Sequence, residues 1–155
     1  MQKITPFLWF DKEAGEAAKF YTSVFKGSKI KNLTMIPNTP SGTVEIVTIE
    51  LLDQEFTLMS AGPLFKFNEA ISFVVHCNTQ KEIDSYWEKL SAVPEAEQCG
   101  WLKDRYGLSW QIVPAVLPKM LQDKDARKVA RVTEAFLKMK KFDIQTLKRA
   151  YEGKE

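Results

Sequence analysis

Histidine, cysteine and closely spaced glycine are scarce in this chain of 155 residues, and each scarcity excludes a class of site. There is one histidine, His76, and there are two cysteines, Cys77 and Cys99. Zinc and iron sites usually draw several ligands from these residue types, so any metal here would depend on carboxylates. The cysteines also lack the CxxC spacing of a zinc knuckle and the density of a secreted disulfide scaffold. We therefore expect reduced thiols and no metal site.

The seven glycines stand singly at positions 15, 27, 42, 62, 100, 107 and 153. Loops that bind phosphates or dinucleotides need clustered glycines, as in GxGxxG or the Walker loop, because only then can the backbone approach the ligand. The absence of such a cluster argues against nucleotide-dependent chemistry. We expect no cofactor.

Long hydrophobic runs are also missing. The apolar start of the chain is interrupted at Asp11, Lys12 and Glu13, far short of a signal-peptide core or a membrane span. The composition, with 45% hydrophobic and 27% charged residues, is that of a globular protein. These features predict a cytoplasmic protein without a membrane partner.

Charge is distributed unevenly along the chain. Residues 115–155 contain 11 basic and 6 acidic residues, whereas residues 1–114 contain 11 and 14. A basic tail can bind nucleic acid, but the aromatic residues Phe136, Phe142 and Tyr151 fall on its apolar side rather than between the basic residues. We therefore interpret the charges as a solvated helix face and expect no nucleic-acid partner.

Hydrophobic periodicity predicts alternating strands and helices. Two segments, 12–25 and 80–90, place apolar residues at helical spacing. The predicted strands are residues 4–10, 43–51, 55–60, 70–77, 99–103 and 108–113, the last two forming a hairpin about residues 104–107.

The pattern repeats within the chain. Shifting the sequence by one fixed number of residues aligns the first predicted strand and helix with the strand at 70–77 and the helix at 80–90. This shift matches Phe7 with Phe73 and Tyr21 with Trp87. A smaller shift of the sequence aligns the two hairpin turns, matching Asp53 of the first with Asp104 of the second. The second copy is therefore shorter in its middle than the first.

Several segments carry a resemblance to a known family: ITPFLWFD, AAKFY, GPLFKFNEAISF, CGWLKD, GLSWQIVP and KMKKFDIQTLKRA. The chain resembles the PhnB-like branch of the vicinal oxygen chelate superfamily, which includes glyoxalase I, bleomycin-resistance proteins and extradiol dioxygenases. The branch is often labelled 3-demethylubiquinone-9 3-methyltransferase. The resemblance implies an α+β fold of two tandem βαβββ modules, a curved sheet with a concave cavity, helices outside, and a homodimer.

The resemblance divides the single domain, residues 1–155, into three parts. Module 1 spans 1–66, module 2 spans 67–114, and a helical extension spans 115–155. The methyltransferase label is not supported by the residues, because neither the glycines nor the βαβββ order supplies the Gly-rich turn of a parallel sheet that normally holds S-adenosylmethionine.

Metal-dependent members of the superfamily take four ligands from the first and last strand of each module. Carried over to this sequence, those positions fall at Thr5, Ile71, about Ser60, and Gln111. Only Gln111 matches the family pattern, and one neutral amide is a poor ligand set for a divalent cation. The resemblance therefore implies a vacated metal site.

Strand alternation around these positions predicts the wall of a small-molecule pocket. We expect a ligand-binding face that combines aromatic and apolar side chains with a few hydroxyl and amide groups. Its predicted residues are Thr5, Phe7, Trp9, Phe73, Val75, Ser109 and Gln111. The alternative for Phe7, Trp9 and Phe73 is that they only pack the core. We expect Trp101 and Trp110 to pack beneath the outer helices.

Three residues are candidates for catalysis: Gln111, Cys99 and His76. Cys99 would need a base or cation to form a thiolate, and Lys103 is the nearest one in sequence. If Ile71 faces the cavity, strand alternation places His76 on the helix side or at a strand end, as a hydrogen-bonded structural residue. We therefore predict a metal-independent protein that binds a small apolar or aromatic molecule. The alternative is an enzyme of isomerase or lyase type.

The extension predicts two or three helices. Asp125 and Asp143 are predicted N-caps. An apolar stripe of Val129, Val132, Phe136 and Met139 follows the first of these caps. We expect it to pack on the modules or on a dimer mate.

Overall fold

The computed structural model describes residues 2–154 and divides into two compact units. The first unit ends at Phe67 and the second begins at Asn68. The α+β fold class is as predicted, with one mixed sheet and its helices in each unit.

The first unit has the predicted βαβββ order. Its elements are β1 (Phe7–Phe10), α1 (Ala14–Val24), β2 (Lys29–Thr39), β3 (Gly42–Leu51) and β4 (Gln54–Ser60). The strand order in the sheet is β1-β4-β3-β2. β1 runs parallel to β4, and the other neighbours are antiparallel.

Helix α1 covers one face of this sheet. Its alanines Ala14, Ala17 and Ala18 are fully buried, which lets the helix backbone approach the strands closely. The covered face carries the core side chains of three strands, namely Leu8, Phe10, Val47, Ile49, Phe56 and Leu58. Burying each such large apolar side chain stabilises the fold by roughly 1.5–3 kcal/mol. The opposite face is not covered by α1, and we call it the open face of the first unit.

The second unit contains β5 (Ser72–Cys77), α2 (Gln80–Leu90), a 3-10 helix (Pro94–Ala96), β6 (Trp101–Lys103) and β7 (Ser109–Pro114). The extension adds α3 (Val116–Leu121), α4 (Ala126–Leu137) and α5 (Ile144–Glu152). The strand order is β5-β7-β6, with β5 parallel to β7. No helix within residues 2–154 is long and apolar enough to cross a bilayer.

The second unit differs from the predicted βαβββ module in one respect. The described residues form three strands here, so the unit is βαββ. The segment between α2 and β6 contains Pro94, which has no N–H to donate to a ladder, and forms a 3-10 helix instead of a strand. The shortening expected from the repeat therefore removes the strand that corresponds to β2.

The helical extension packs within the second unit. Its core consists of Leu117, Met120, Val132, Phe142 and Leu147. The predicted caps are confirmed, because the Asp125 carboxylate accepts from the Arg127 N–H at 3.0 Å and the Asp143 carboxylate accepts from the Thr146 N–H at 2.8 Å. Three residues of the predicted stripe, Val132, Phe136 and Met139, belong to this core or pack on it, although Met139 lies beyond the end of α4.

Gly100 joins the extension to the sheet. Its N–H donates to the Lys140 carbonyl at 2.7 Å, and its own carbonyl accepts from the Ile112 N–H at 2.8 Å. Its φ is +83°, and a Cβ at this position would lie 2.3 Å from Cε2 of Phe142. Both the backbone conformation and the ring of Phe142 therefore require glycine here.

We expect Gly100→Ala to destabilise the protein by about 3 kcal/mol, since it combines left-handed strain with a clash against a buried ring. Gly107→Ala is the matched control, because Gly107 has φ +84° but open space around its Cβ direction. The control is expected to lose only the strain, about 1 kcal/mol. Urea unfolding at constant m-value measures both; equal losses would show that Phe142 does not restrict this position.

Candidate functional site

The open face of the first unit is formed by three adjacent strands. Phe7 lies beside Thr57, and Trp9 lies beside Met59. The side chains around Phe7 and Trp9 on this face are Ile46, Thr48, Thr57 and Met59, none of which is charged. Further along the same face lie Glu50 and Glu55, whose carboxylates form ion pairs with Lys29 and Lys31.

The two aromatic rings on this face are held differently. The Trp9 indole N–H donates to the Gly62 carbonyl at 2.8 Å, and the ring meets Phe65 edge to face at 5.0 Å between centroids. Trp9 is therefore fixed and has no unsatisfied polar atom. Phe7 is 56% exposed, which excludes the alternative that it only packs the core. Thr5, just before β1, is half-buried.

The predicted cavity position about Ser60 lies on the other side of the sheet. The Ser60 hydroxyl accepts from the Ala14 N–H at 2.9 Å, so it caps the first turn of α1. Ser60 pairs with Phe10, which is buried beneath the helix. The neighbouring Met59 occupies the open face instead, and a thioether is not a ligand that hard divalent cations favour.

The open face of the second unit is the one opposite α2. The side chains that share it are Ser72, Val74, His76, Trp101, Lys103, Ser109, Gln111 and Val113. The Gln111 amide donates to the Ser72 hydroxyl at 2.9 Å. Ser109 is only 1% exposed, and its hydroxyl has no hydrogen-bond partner among the described residues. This face is therefore more polar than that of the first unit.

Phe73 and Val75 are not on the face of Gln111, so the prediction of one common wall is wrong for these two residues. Phe73 packs on Trp110 at 5.7 Å between centroids, and Val75 pairs with the fully buried Ile112. Trp110 is buried as predicted. Trp101 does not pack beneath the helices as predicted, because it pairs with Gln111 and therefore lies on the open face.

His76 lies on the open face, one residue before the end of β5, and is exposed, so of its two predicted positions the one on the helix side is wrong. The assumption behind that prediction also fails, because Ile71 is exposed and precedes β5. His76 and Gln111 therefore share a face.

The residue offset that aligns the two helices differs by one from the offset that aligns the two sets of strands, and this difference explains these errors. The offset that carries the start of α1, Ala14, onto the start of α2, Gln80, would align Phe10 with His76. The strands follow a different alignment. The Ala61 N–H donates to the Phe10 carbonyl, and in the equivalent position the Ala115 N–H donates to the carbonyl of Cys77, the residue after His76. A slip of one residue moves every side chain of a strand to the other face.

Cys99 lies in a turn before β6 rather than in a strand, with φ +49°. Its thiol contacts the Leu137 carbonyl at 3.8 Å and the Gln98 amide at 3.4 Å. Lys103 forms an ion pair with Glu69, whose carboxyl pKa is lowered by that contact. Neither contact of the Cys99 thiol is a base that would activate it as a nucleophile.

Cys77 is the other free thiol, and burial raises its pKa to about 12. The thiol therefore stays protonated at neutral pH and behaves as a small apolar side chain.

The sequence indicates Asp104 only as part of a turn, but the structure gives it a larger role. Its carboxylate is fully buried and accepts from the N–H groups of Tyr106 at 2.8 Å and Leu108 at 3.1 Å, and from the Trp110 indole at 2.9 Å. It thus fixes the hairpin that carries Ser109 and Gln111.

The residues present do not fit a metal. Residues 2–154 contain no group of three His, Cys, Asp or Glu side chains placed to hold an ion. The open faces offer hydroxyls, the Met59 thioether, the Gln111 amide and the single imidazole of His76, and the carboxylates of Glu50 and Glu55 are paired with lysines. That no metal binds in solution stays a prediction.

Residues 2–113 match the protein family described as 3-demethylubiquinone-9 3-methyltransferase. A comparison with curated proteins finds no match.

Solved structures resemble this chain as well. A putative 3-demethylubiquinone-9 3-methyltransferase, the PhnB protein from Bacillus cereus, is 35% identical, with a TM-score of 0.62 over 74% of this chain and 100% of that one. Protein PA1353 from Pseudomonas aeruginosa is 16% identical, with a TM-score of 0.55 over 74% and 98%. The fosfomycin resistance protein FosX from Listeria monocytogenes is 11% identical, with a TM-score of 0.58 over 79% and 98%. The last two likenesses show a shared fold.

We expect Asp104→Asn to destabilise the protein by about 3 kcal/mol, because the new amide would point N–H groups at N–H donors that the buried carboxylate now satisfies. Asp53→Asn is the control, since Asp53 is the exposed residue of the corresponding turn between β3 and β4. The control should change stability by less than about 0.5 kcal/mol. Thermal and urea unfolding measure both, and a near-neutral Asp104→Asn would mean that the hairpin does not depend on this carboxylate.

Proposed function

This chain belongs to the 3-demethylubiquinone-9 3-methyltransferase family, and we propose that it is a metal-independent binding protein for a small apolar or aromatic molecule. The single observation that carries the proposal is the open face of the first unit. There, an exposed Phe7 ring and a fixed Trp9 ring stand on the same side of the sheet, beside the uncharged Thr57 and Met59.

The side chains next to Phe7 and Trp9 support a neutral ligand, since the carboxylates on this face, Glu50 and Glu55, are paired with Lys29 and Lys31. Phe7 exposes more than half of its surface, so contact with an apolar molecule would remove that surface from water. Trp9 already satisfies its N–H and therefore offers only its apolar ring. Thr48 and Thr57 supply hydroxyls that can orient a ligand by hydrogen bonds, the usual division of labour in small-molecule sites.

Methyl transfer, the reaction in the family's description, is not part of the proposal. A Gly-rich turn between a strand and a helix normally holds the cofactor of such enzymes. The connection between β1 and α1 is instead Asp11, Lys12 and Glu13. None of these three residues is a glycine, which would let the backbone approach a cofactor closely.

The second candidate is a metal-independent isomerase or lyase, favoured by the side chains on the open face of the second unit. An exposed imidazole, His76, shares that face with the Gln111 amide and the Ser72 hydroxyl. Imidazole is a common general acid and base in enzymes, and an amide can donate a hydrogen bond to a developing oxyanion. Proton transfer is the chemistry that this set supports.

The binding proposal is tested with a panel of neutral aromatic compounds, using melting temperature and tryptophan fluorescence. We expect at least one compound to raise the melting temperature. Phe7→Ala should then weaken its binding roughly 10- to 100-fold, because the ring's apolar contact is lost. Leu137→Ala is the control, since Leu137 is 55% exposed but lies at the end of α4 in the second unit. Equal affinity of the two variants would contradict the proposed site.

Two further outcomes decide between the candidates. Stoichiometric metal in the purified protein, or stabilisation by divalent ions, would contradict metal independence. The enzyme would become the favoured candidate if the wild-type protein converted a compound chemically and the His76→Gln variant bound the same compound without converting it.

A further inference from the structure

The loop that follows β4, residues 62–67, places two aromatic rings against β1. Phe65 meets Trp9 edge to face at 5.0 Å between centroids, and Phe67 meets Phe10 in the same way at 5.2 Å. Phe65 is nevertheless 59% exposed, so the contact with Trp9 uses only part of its surface. The loop is thus attached to the strand that carries the proposed ligand site.

The contact with Phe65 is one of two that fix the Trp9 ring. The other is the hydrogen bond from the indole N–H to the Gly62 carbonyl. Gly62 also donates its N–H to the Asp11 carbonyl at 2.9 Å, so it lies at the end of β1 that is farther from Phe7. A polar contact and an aromatic contact therefore hold the indole in one orientation.

Phe7 has no such support. Its ring contacts no other aromatic ring in the described part of the chain. Side chains two residues apart on one face of a strand are separated by about 6.6 Å, and a planar molecule needs about 3.5 Å between its plane and each ring that stacks on it. The spacing of Phe7 and Trp9 therefore suits one planar layer, whereas a puckered saturated ring is thicker.

We propose that Phe65 holds Trp9 in position, so that Phe7 and Trp9 clamp a single planar aromatic molecule between them. The clamp rests on the proposed function, because it describes the same face, and it narrows the class of ligand. Thr57 and Met59 lie beside the two rings on β4. A hydroxyl and a thioether are suited to a polar group at the edge of the ligand and to its aromatic ring, respectively. Phe65 is a positioning residue and needs no contact with the ligand.

The test compares beta-naphthol with its fully hydrogenated form, decahydro-beta-naphthol. Both are neutral alcohols with the same carbon skeleton, but only the first is planar. We expect the wild type to bind beta-naphthol at least roughly tenfold more tightly in calorimetry, because only the planar compound can stack on both rings. The proton signals of bound beta-naphthol should also shift upfield, since the rings of Phe7 and Trp9 would lie above and below its plane.

Phe65→Leu tests the positioning role. The variant removes the ring that supports Trp9 but keeps an apolar side chain, so we expect the preference for the planar compound to fall to less than about threefold. Affinity for the hydrogenated compound should change little. Phe136→Leu is the control, because it removes a comparable edge-to-face contact, with Phe142 at 6.3 Å, in the second unit. The control should keep the full preference, and melting temperatures show that both variants fold.

Equal affinity of the wild type for the two alcohols, or no binding of beta-naphthol, would overturn the clamp. So would bound beta-naphthol without an upfield shift, a measurement that does not depend on the folding of any variant, or a Phe65→Leu variant with the full preference. None of these results removes the binding function, which fails separately if no aromatic compound binds or if Phe7→Ala and Leu137→Ala bind equally well.

Discussion

The parallel pairing of the first and last strand of each unit determines which side chains are available for function. β1 pairs with β4, and β5 pairs with β7, in the same orientation. One helix covers one side of each pair, and strand alternation then leaves every second side chain uncovered. Phe7 and Trp9 in the first unit, and His76 and Gln111 in the second, are functional candidates for this reason.

The elements with strong local signals were predictable from the sequence. Both helices between strands, the hairpin turn at Asp104 and the caps Asp125 and Asp143 depend on residues within a few positions of each other. The strand β2 was not recognised, because its apolar residues do not alternate in a way that indicates a buried face and Pro37 interrupts it. An exposed edge strand has no such face.

The site was less predictable than the fold because its geometry depends on register. Phe7, Trp9 and Gln111 were placed on open faces, whereas Phe73, Val75 and Ser60 lie on covered ones. The offset between the helices differs by one position from the offset between the strands, and only the hydrogen bonds at Phe10 and Cys77 reveal it. Long-range pairing of this kind leaves no local signal in the sequence. The partners of Asp104, namely Tyr106, Leu108 and Trp110, are close in sequence. The turn pattern does not show that its carboxylate is buried, and burial is what makes these hydrogen bonds important.

The two units differ in how they use their uncovered surface. Of the twelve large hydrophobic side chains that are exposed in the described part of the chain, nine lie in the first unit. In the second unit, the helical extension covers apolar surface, and the open face combines hydroxyl, amide and imidazole groups with Val74, Val113 and Trp101. Because exposed apolar surface is stabilised only by contact with something else, apolar ligands and partners are expected on the first unit. Groups that can transfer protons are concentrated on the second, so binding and any chemistry should respond to different substitutions.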